Sequence, residues 1–176
     1  MIVNKAWAMP NKNTFKISPI KNLIDKYNCV NLFNYKEGFI SIDPFSNNNK
    51  IATVTNDLDS QFNTDYNLDA LDFLKKMNNN TIDLILFDPP YSPRQVAECY
   101  KKLGKSVNME TTQSSFWGNL KKEISRVTKK DSKVISFGWN SNGIGKENGF
   151  EQIEILLVAH GGNHNDTICV VENKFK

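Results

Sequence analysis

Cysteine is scarce in this 176-residue chain: Cys29, Cys99 and Cys169 are odd in number, far apart and in no C-x-x-C arrangement. They exclude a disulfide framework and read as reduced, buried thiols of a cytoplasmic protein. Long apolar runs are missing too. No stretch approaches the length of a membrane span, and the N-terminus lacks the apolar core of a signal peptide, so nothing points to a membrane. Internal repeats are absent.

What the chain does have is Asp88-Pro89-Pro90-Tyr91, closing the apolar run Ile82-Asp83-Leu84-Ile85-Leu86-Phe87. Such a run ending in turn formers predicts a buried parallel strand. The prolines stop it, because each fixes φ and neither donates a ladder hydrogen bond. In an open α/β sheet, ligands bind beyond the carboxyl ends of the strands. There Asp88 and the Pro89 carbonyl can both accept from one exocyclic amine, while Tyr91 offers a ring to a planar base. Two acceptors on one NH2 group draw its lone pair out of conjugation and make the nitrogen a better nucleophile. The prolines, Pro90 included, hold the acceptors in place beforehand. A plain strand-ending turn with a capping Asp is the alternative.

The length fits one domain with a real core. A net charge of +3 is permissive of nucleic acid, and its distribution says more. Gly38 to Tyr91 holds eight Asp against three Lys, whereas Ser92 to Lys130 holds nine Lys or Arg against three Glu. A solvated surface is the default reading, but the basic segment directly follows the turn and favours a polyanion across it.

Ile85 to Tyr91 resembles the catalytic motif of the amino-methyltransferases that use S-adenosylmethionine, and the D-P-P-Y form is most similar to their DNA adenine-N6 branch. Asp43-Pro44-Phe45 matches the start of that family's motif I, D-P-F-x-G-x-G-T, with Asn47 and Asn49 in place of the glycines. Asn is the non-glycine residue that best tolerates positive φ, so the turn can survive. Asn67 to Leu74 resembles the third motif, D-A-x-x-F-L, which implies that Asp69 meets the cofactor's adenine amine with Ala70 beside it; an ordinary helix N-cap at Asp69 stays open. Met9 to Phe15 matches by position the segment lining the methionine end, which brings in Phe15; an aromatic N-terminal flap is the alternative. Independently, acids at the end of a second strand accept from ribose hydroxyls in nucleotide-binding folds, which selects Asp57, with Asn56 beside it and Asp59 as substitute.

The remaining pattern fills in an architecture. Strands are predicted at Gly38–Ile42, Ile51–Thr55, Val134–Phe137, Glu151–Ala159 and Thr167–Glu172, and Ser18 reads as an N-cap before Pro19. A helix runs from Pro93 to Gly104. A second, Phe116 to Lys130, turns Lys121, Lys122, Arg126 and Lys129 to solvent. Ser92, Arg94 and Gln95 at the mouth, Lys101 and Lys102 behind them, and Trp139 and Asn140 after the Val134–Phe137 strand are candidates to hold nucleic acid. The Lys105 to Ser115 loop is polar and long enough to order on DNA. His160 and His164 with Asp166 invite a zinc ion, but no Cys supports them, so the preferred reading is a hairpin loop that touches the site or DNA, and no metal is expected.

The fold expected is α/β: a Rossmann-like class I methyltransferase with a mixed seven-stranded-type sheet and helices on both faces. Residues 1–176 form one catalytic domain, with 1–36 as the cofactor-side segment and no separate target-recognition domain. Sequence preference then comes from loops, from a second subunit in a homodimer, or from a specificity partner. The function implied is methyl transfer from S-adenosylmethionine to adenine N6 in duplex or single-stranded DNA, with the base flipped out. The alternatives are an RNA amino-methyltransferase, or a non-catalytic nucleic-acid-binding protein that has lost the cofactor.

Overall fold

The computed structural model describes residues 1–29, 36–105 and 114–176. The loop expected to order on DNA lies almost wholly outside them.

Strand β4 (Ile82–Phe87) runs through the middle with all six residues buried. Cover on both faces explains its near-continuous apolar run: Leu84 and Leu86 enter one core, Ile85 and Phe87 the other. Its one charge is answered locally. The Asp83 carboxylate accepts from the Ile40 amide at 3.0 Å and the Lys129 ammonium at 2.7 Å.

On one side β4 pairs with β2 (Ser41–Asp43), which pairs with β3 (Val54–Thr55); on the other it pairs with β5 (Thr128–Gly138). These strands are all parallel. The last strand, β7 (Thr167–Lys174), inserts antiparallel between β5 and β6 (Phe150–Ala159). β1 (Ile2–Trp7) then pairs parallel with β6. The order is β1-β6-β7-β5-β4-β2-β3, a Rossmann-like sheet of seven strands as expected.

The identity of the seventh strand is a correction. No strand is predicted within the N-terminal segment, yet Ile2–Trp7 is the sheet's edge. Nearly all of it is exposed, so no apolar alternation marks it. Its backbone pairing with β6 and a bond from Asn4 to Glu154 at 3.0 Å hold it. β2 and β3 are also shorter than predicted.

Helices cover both faces. α1 (Ser18–Tyr27) packs Ile20, Leu23 and Ile24 with Phe15 onto one, while α2 (Ala70–Lys76) and α4 (Ser114–Val127) cover the other through Phe73, Leu74, Leu120, Ile124 and Val127. α3 (Pro93–Lys102) starts just after the Asp88-Pro89-Pro90-Tyr91 turn. Ser18 is not the N-cap: Ile17 holds that place without a side-chain bond, and Pro19 sets the first turn. The basic face of α4 is not simply solvated. Arg126 donates to the Leu74 and Met77 carbonyls at the end of α2, both at 2.9 Å, and Lys129 already belongs to β5. Among the described residues no helix is long and apolar enough to cross a membrane.

Candidate active site

β4 delivers Asp88-Pro89-Pro90-Tyr91 to the carboxyl edge of the sheet, and Ser92 caps α3 behind it, its hydroxyl accepting from the Gln95 amide at 3.3 Å. Gln95 turns back, so that its side-chain oxygen accepts from the Tyr91 amide at 2.6 Å. Gln95 therefore braces the turn from behind. The Tyr91 hydroxyl donates to Asp88 at 2.5 Å. Burial pushes the Asp88 carboxyl up, while the Tyr91 and Thr14 hydroxyls pull it back. Burial, followed by the Asp88 charge, holds the Tyr91 phenol far above its ordinary value. The Tyr91 ring meets Trp139 edge-on, with centroids 5.4 Å apart.

Two clefts share this turn. The first, of roughly 480 Å3, lies over the ends of β2, β3 and β4. Pro44, Phe45, Asp57, Asp69 and Ala70, all candidates for the cofactor, line it together with the turn. Asn47 takes the place of a glycine at φ +49°, which an asparagine adopts more readily than most residues. Its amide donates to Asp57 at 2.8 Å, and Asp57 also accepts from the Asp59 amide at 2.9 Å. Burial raises the Asp57 carboxyl despite these bonds. Asp69 serves twice: it caps α2 by accepting from Leu71 at 3.0 Å, and it accepts from the Tyr100 hydroxyl.

Three expected cofactor residues do not line the cleft. Phe15 is 2% exposed and packs on Phe137 at 4.9 Å, because α1 needs an apolar anchor; Lys12 and Thr14 are what this segment gives the cleft. Asn56 is buried with its amide spent on the Pro44 and Leu68 carbonyls at 3.0 and 3.1 Å, clasping the loops. Asp43 lies behind the wall, one oxygen accepting from Phe45 at 3.0 Å and the other without a partner among the described residues. Burial raises its carboxyl well above the ordinary value, and the Asp88 and Asp57 charges add to this.

The second cleft, roughly 360 Å3, lies on the other side of Pro89, Pro90 and Tyr91. Trp139 and Asn140 line it as expected, joined by Trp117 and Lys121 of α4 and by Ser136. The last three were missed. The one signal was a serine inside the apolar run Val134-Ile135-Ser136-Phe137. Of the other candidate contacts, Arg94 is exposed and paired with Glu98 at 2.8 Å, Lys102 lines the first cleft, and Lys101 is exposed near the end of α3.

The histidine loop stands beside the turn in a shallower groove with Tyr91 and Trp139. His160 itself is structural: its ring nitrogens lie 2.9 Å from the Ala8 carbonyl and 2.9 Å from the Thr167 hydroxyl. With both nitrogens engaged it cannot converge with His164 on an ion. Among the described residues no cluster of His, Cys, Asp and Glu is arranged to hold a metal.

No protein-family model matches the chain, and no curated protein does. Its likeness is to solved structures. A provisionally named methylase from Haemophilus influenzae aligns with 90% of this chain and 98% of its own, at a TM-score of 0.55 and 10% identity. TrmN from Thermus thermophilus aligns with 90% of this chain at a TM-score of 0.58 and 14% identity, and the chain spans about half, 49%, of TrmN. The 1,6-didemethyltoxoflavin-N1-methyltransferase of Burkholderia thailandensis, solved with S-adenosylhomocysteine, aligns with 89% of this chain and 87% of its own, at 0.51 and 7%. At such identities the likeness is one of fold. The fold is that of the Rossmann-like class I methyltransferases.

Proposed function

We propose that the protein is an S-adenosylmethionine-dependent methyltransferase that acts on adenine N6 in DNA. One observation carries the proposal: Asp88-Pro89-Pro90-Tyr91 is a shared wall, with a carboxylate-lined cleft on one side and an aromatic cleft on the other. That is what a two-substrate transfer needs at its point of contact.

The first cleft fits the cofactor in size and charge. Asp57, Asp69 and Asp88 line it, and the buried, unpartnered oxygen of Asp43 lies behind it; this negative surround suits a sulfonium and an ammonium. Asp57 would hold the ribose, Asp69 with Ala70 the adenine, and Lys12 and Thr14 face the remaining end. When bound, S-adenosylmethionine supplies an electrophilic methyl group and leaves as S-adenosylhomocysteine.

The chain's own part is to prepare the nucleophile. Asp88 and the Pro89 carbonyl would accept from the target amine, and the target base would be flipped out to reach them. Tyr91 first has to give up its bond to Asp88. The carboxyl of Asp88, raised by burial, is placed to take the proton that the methylated amine releases. The basic residues from Ser92 onward would lie along the phosphates.

The test is methyl transfer from radiolabelled S-adenosylmethionine to duplex DNA, single-stranded DNA and RNA, with the products digested for mass spectrometry. N6-methyladenine in DNA that vanishes in Asp88→Ala supports the proposal. Label found only in RNA would move the substrate, and no label in any of the three would sink the activity.

A further inference from the structure

We infer that Ser136 is a base-orienting residue of the second cleft: its hydroxyl donates to a ring nitrogen beside the exocyclic amine of a planar heterocycle. This rests on the proposal that the second cleft receives the target base.

The argument begins with an exception in a strand. Along β5, Ile135 and Phe137 enter the core under α1, while Val134 enters the core under α4. Side chains alternate along a strand, so Ser136 faces the α4 side with Val134. It sits in register with Phe87, the residue immediately before the catalytic turn. A large apolar side chain would be the default there. Instead Ser136, a residue 8% exposed, holds a buried hydroxyl with no hydrogen-bond partner among the described residues. Buried hydroxyls are nearly always paired, and each exception asks for a reason.

The cleft supplies the reason. Ser136 lines it together with Pro89, Tyr91, Trp117 and Trp139. These are flat surfaces suited to a ring, and Trp139 leaves 43% of its surface uncovered. A heterocycle entering between them would bring its amine to Asp88 and the Pro89 carbonyl. A ring nitrogen next to that amine would then approach Ser136. Asp88 and Pro89 read only an amine, which cytosine and adenine share. A donor opposite a ring nitrogen adds the second coordinate that orients the ring. Lys121, at the rim of the same cleft, is placed for the phosphate that follows.

The experiment separates ring binding from methyl transfer. In a Trp7→Phe background, quenching of Trp117 and Trp139 fluorescence reports occupation of the cleft. The probes are single-stranded thymidine oligonucleotides carrying one central adenine, 1-deazaadenine or 7-deazaadenine. With Ser136 intact, one of the two deaza probes should bind about 10-fold more weakly than adenine, the value of one neutral hydrogen bond. Ser136→Ala should bind adenine that much more weakly and no longer distinguish that probe, with its melting temperature no lower than the parent's. Ser136→Thr, which keeps the hydroxyl, should restore the discrimination. Equal affinities of Ser136→Ala and the parent for all three probes would overturn the inference, as would a failure of every probe to quench. Methyl transfer measured on the same oligonucleotides reports on the activity separately. Ser136-dependent binding without transfer would remove the methyltransferase reading and leave the serine's role standing.

Discussion

The hydroxyl of Tyr91 donates to the carboxylate of Asp88 across 2.5 Å, which closes the Asp88-Pro89-Pro90-Tyr91 turn on itself. One residue was expected to stack on a base and the other to hold its amine, yet each occupies the other. The bond is also one reason the Asp88 carboxyl is not higher still, since burial raises it and the Tyr91 hydroxyl lowers it. In Tyr91→Phe that lowering is lost and the folded-state value rises. In the proposed mechanism the ionised carboxylate is the better acceptor, so activity should fall as pH drops through that value. The acid limb of the pH–rate profile should therefore move to higher pH in Tyr91→Phe, with the plateau rate within a few-fold. Tyr91→Ala, which also loses the ring, should lose roughly 100-fold or more. An unmoved acid limb in Tyr91→Phe would show that Asp88 does not set it.

Asp43 gives a prediction about stability alone. Its carboxyl is held above the unfolded value of 3.8 by burial, with Asp88 and Asp57 adding to it. A group raised in the folded state contributes stability fully below its unfolded pKa and loses it as pH rises through the folded value. The melting temperature should then carry a decline with pH, from the mildly acidic side toward neutrality, that Asp43→Asn lacks. Asparagine keeps the acceptor for the Phe45 amide. At pH 7.5 the variant should melt higher, by about 2–4 °C for each kcal/mol recovered at this chain length. Melting curves across that range decide it, and a variant with the parent's slope would refute the assignment.

These two carboxylates mark how far the sequence could be read. The Asp88-Pro89-Pro90-Tyr91 turn and β4 were legible because a largely apolar run ended by two prolines has few other meanings. Pro93 announced α3, and Asp69, read also as a possible N-cap, announced α2. Direction was not legible. Phe15 and Asn56 were placed near the cofactor, but proximity along the chain does not say whether a side chain turns to a cleft or to the core. β1 was missed because an exposed edge strand is fixed by its partner β6 and shows no alternation of its own. Ser136 and Lys121 reach the second cleft only because α4 packs across β5, a contact between segments that no local pattern encodes.

Arg126 tests that last point on the stability side. A helix face of Lys and Arg looks solvated, yet this guanidinium satisfies two carbonyls at the end of α2 and pairs with Glu123 at 2.7 Å. Arg126→Met keeps much of the stem and removes the donors. It should destabilise the fold by about 1–3 kcal/mol in urea denaturation. Lys122→Met, one turn back and exposed, should stay within about 0.5 kcal/mol of the parent. Equal effects would mean the capping bonds contribute nothing.

The loop after β5 gives a steric prediction. Gly143 sits at φ +58°, and a Cβ there would stand 2.4 Å from the Glu172 carboxylate. That carboxylate accepts from the Ile144 and Gly145 amides at 2.5 and 3.0 Å, fixing the loop that lines the second cleft. Gly143→Ala should cost about 1–3 kcal/mol through backbone strain and the displaced carboxylate. Glu172→Ala removes the obstacle along with the clamp. Adding Gly143→Ala to it should therefore cost much less than in the parent, a non-additivity that a double-mutant cycle in urea would read.

The Asn47 turn decides whether the first cleft still works as a nucleotide site. At φ +49° a glycine would relax the backbone, whereas alanine would keep the strain and lose the local side-chain bond to the Phe45 carbonyl at 3.4 Å. The amide that matters is the backbone one, which steadies Asp57 at 2.8 Å and survives in either variant. In calorimetric titration with S-adenosylhomocysteine, Asn47→Gly should bind at least as tightly as the parent. Asn47→Ala should be a few-fold weaker, in line with about 1 kcal/mol of strain. Asp57→Ala should weaken binding by about 10- to 100-fold, the range expected when a charged acceptor is removed from a ligand hydroxyl. If Asn47→Gly gains affinity while Asp57→Ala loses it, the asparagines weaken the loop without abolishing the site. If neither substitution changes the titration, the nucleoside does not lie between this loop and the end of β3, and the first cleft belongs to some other ligand.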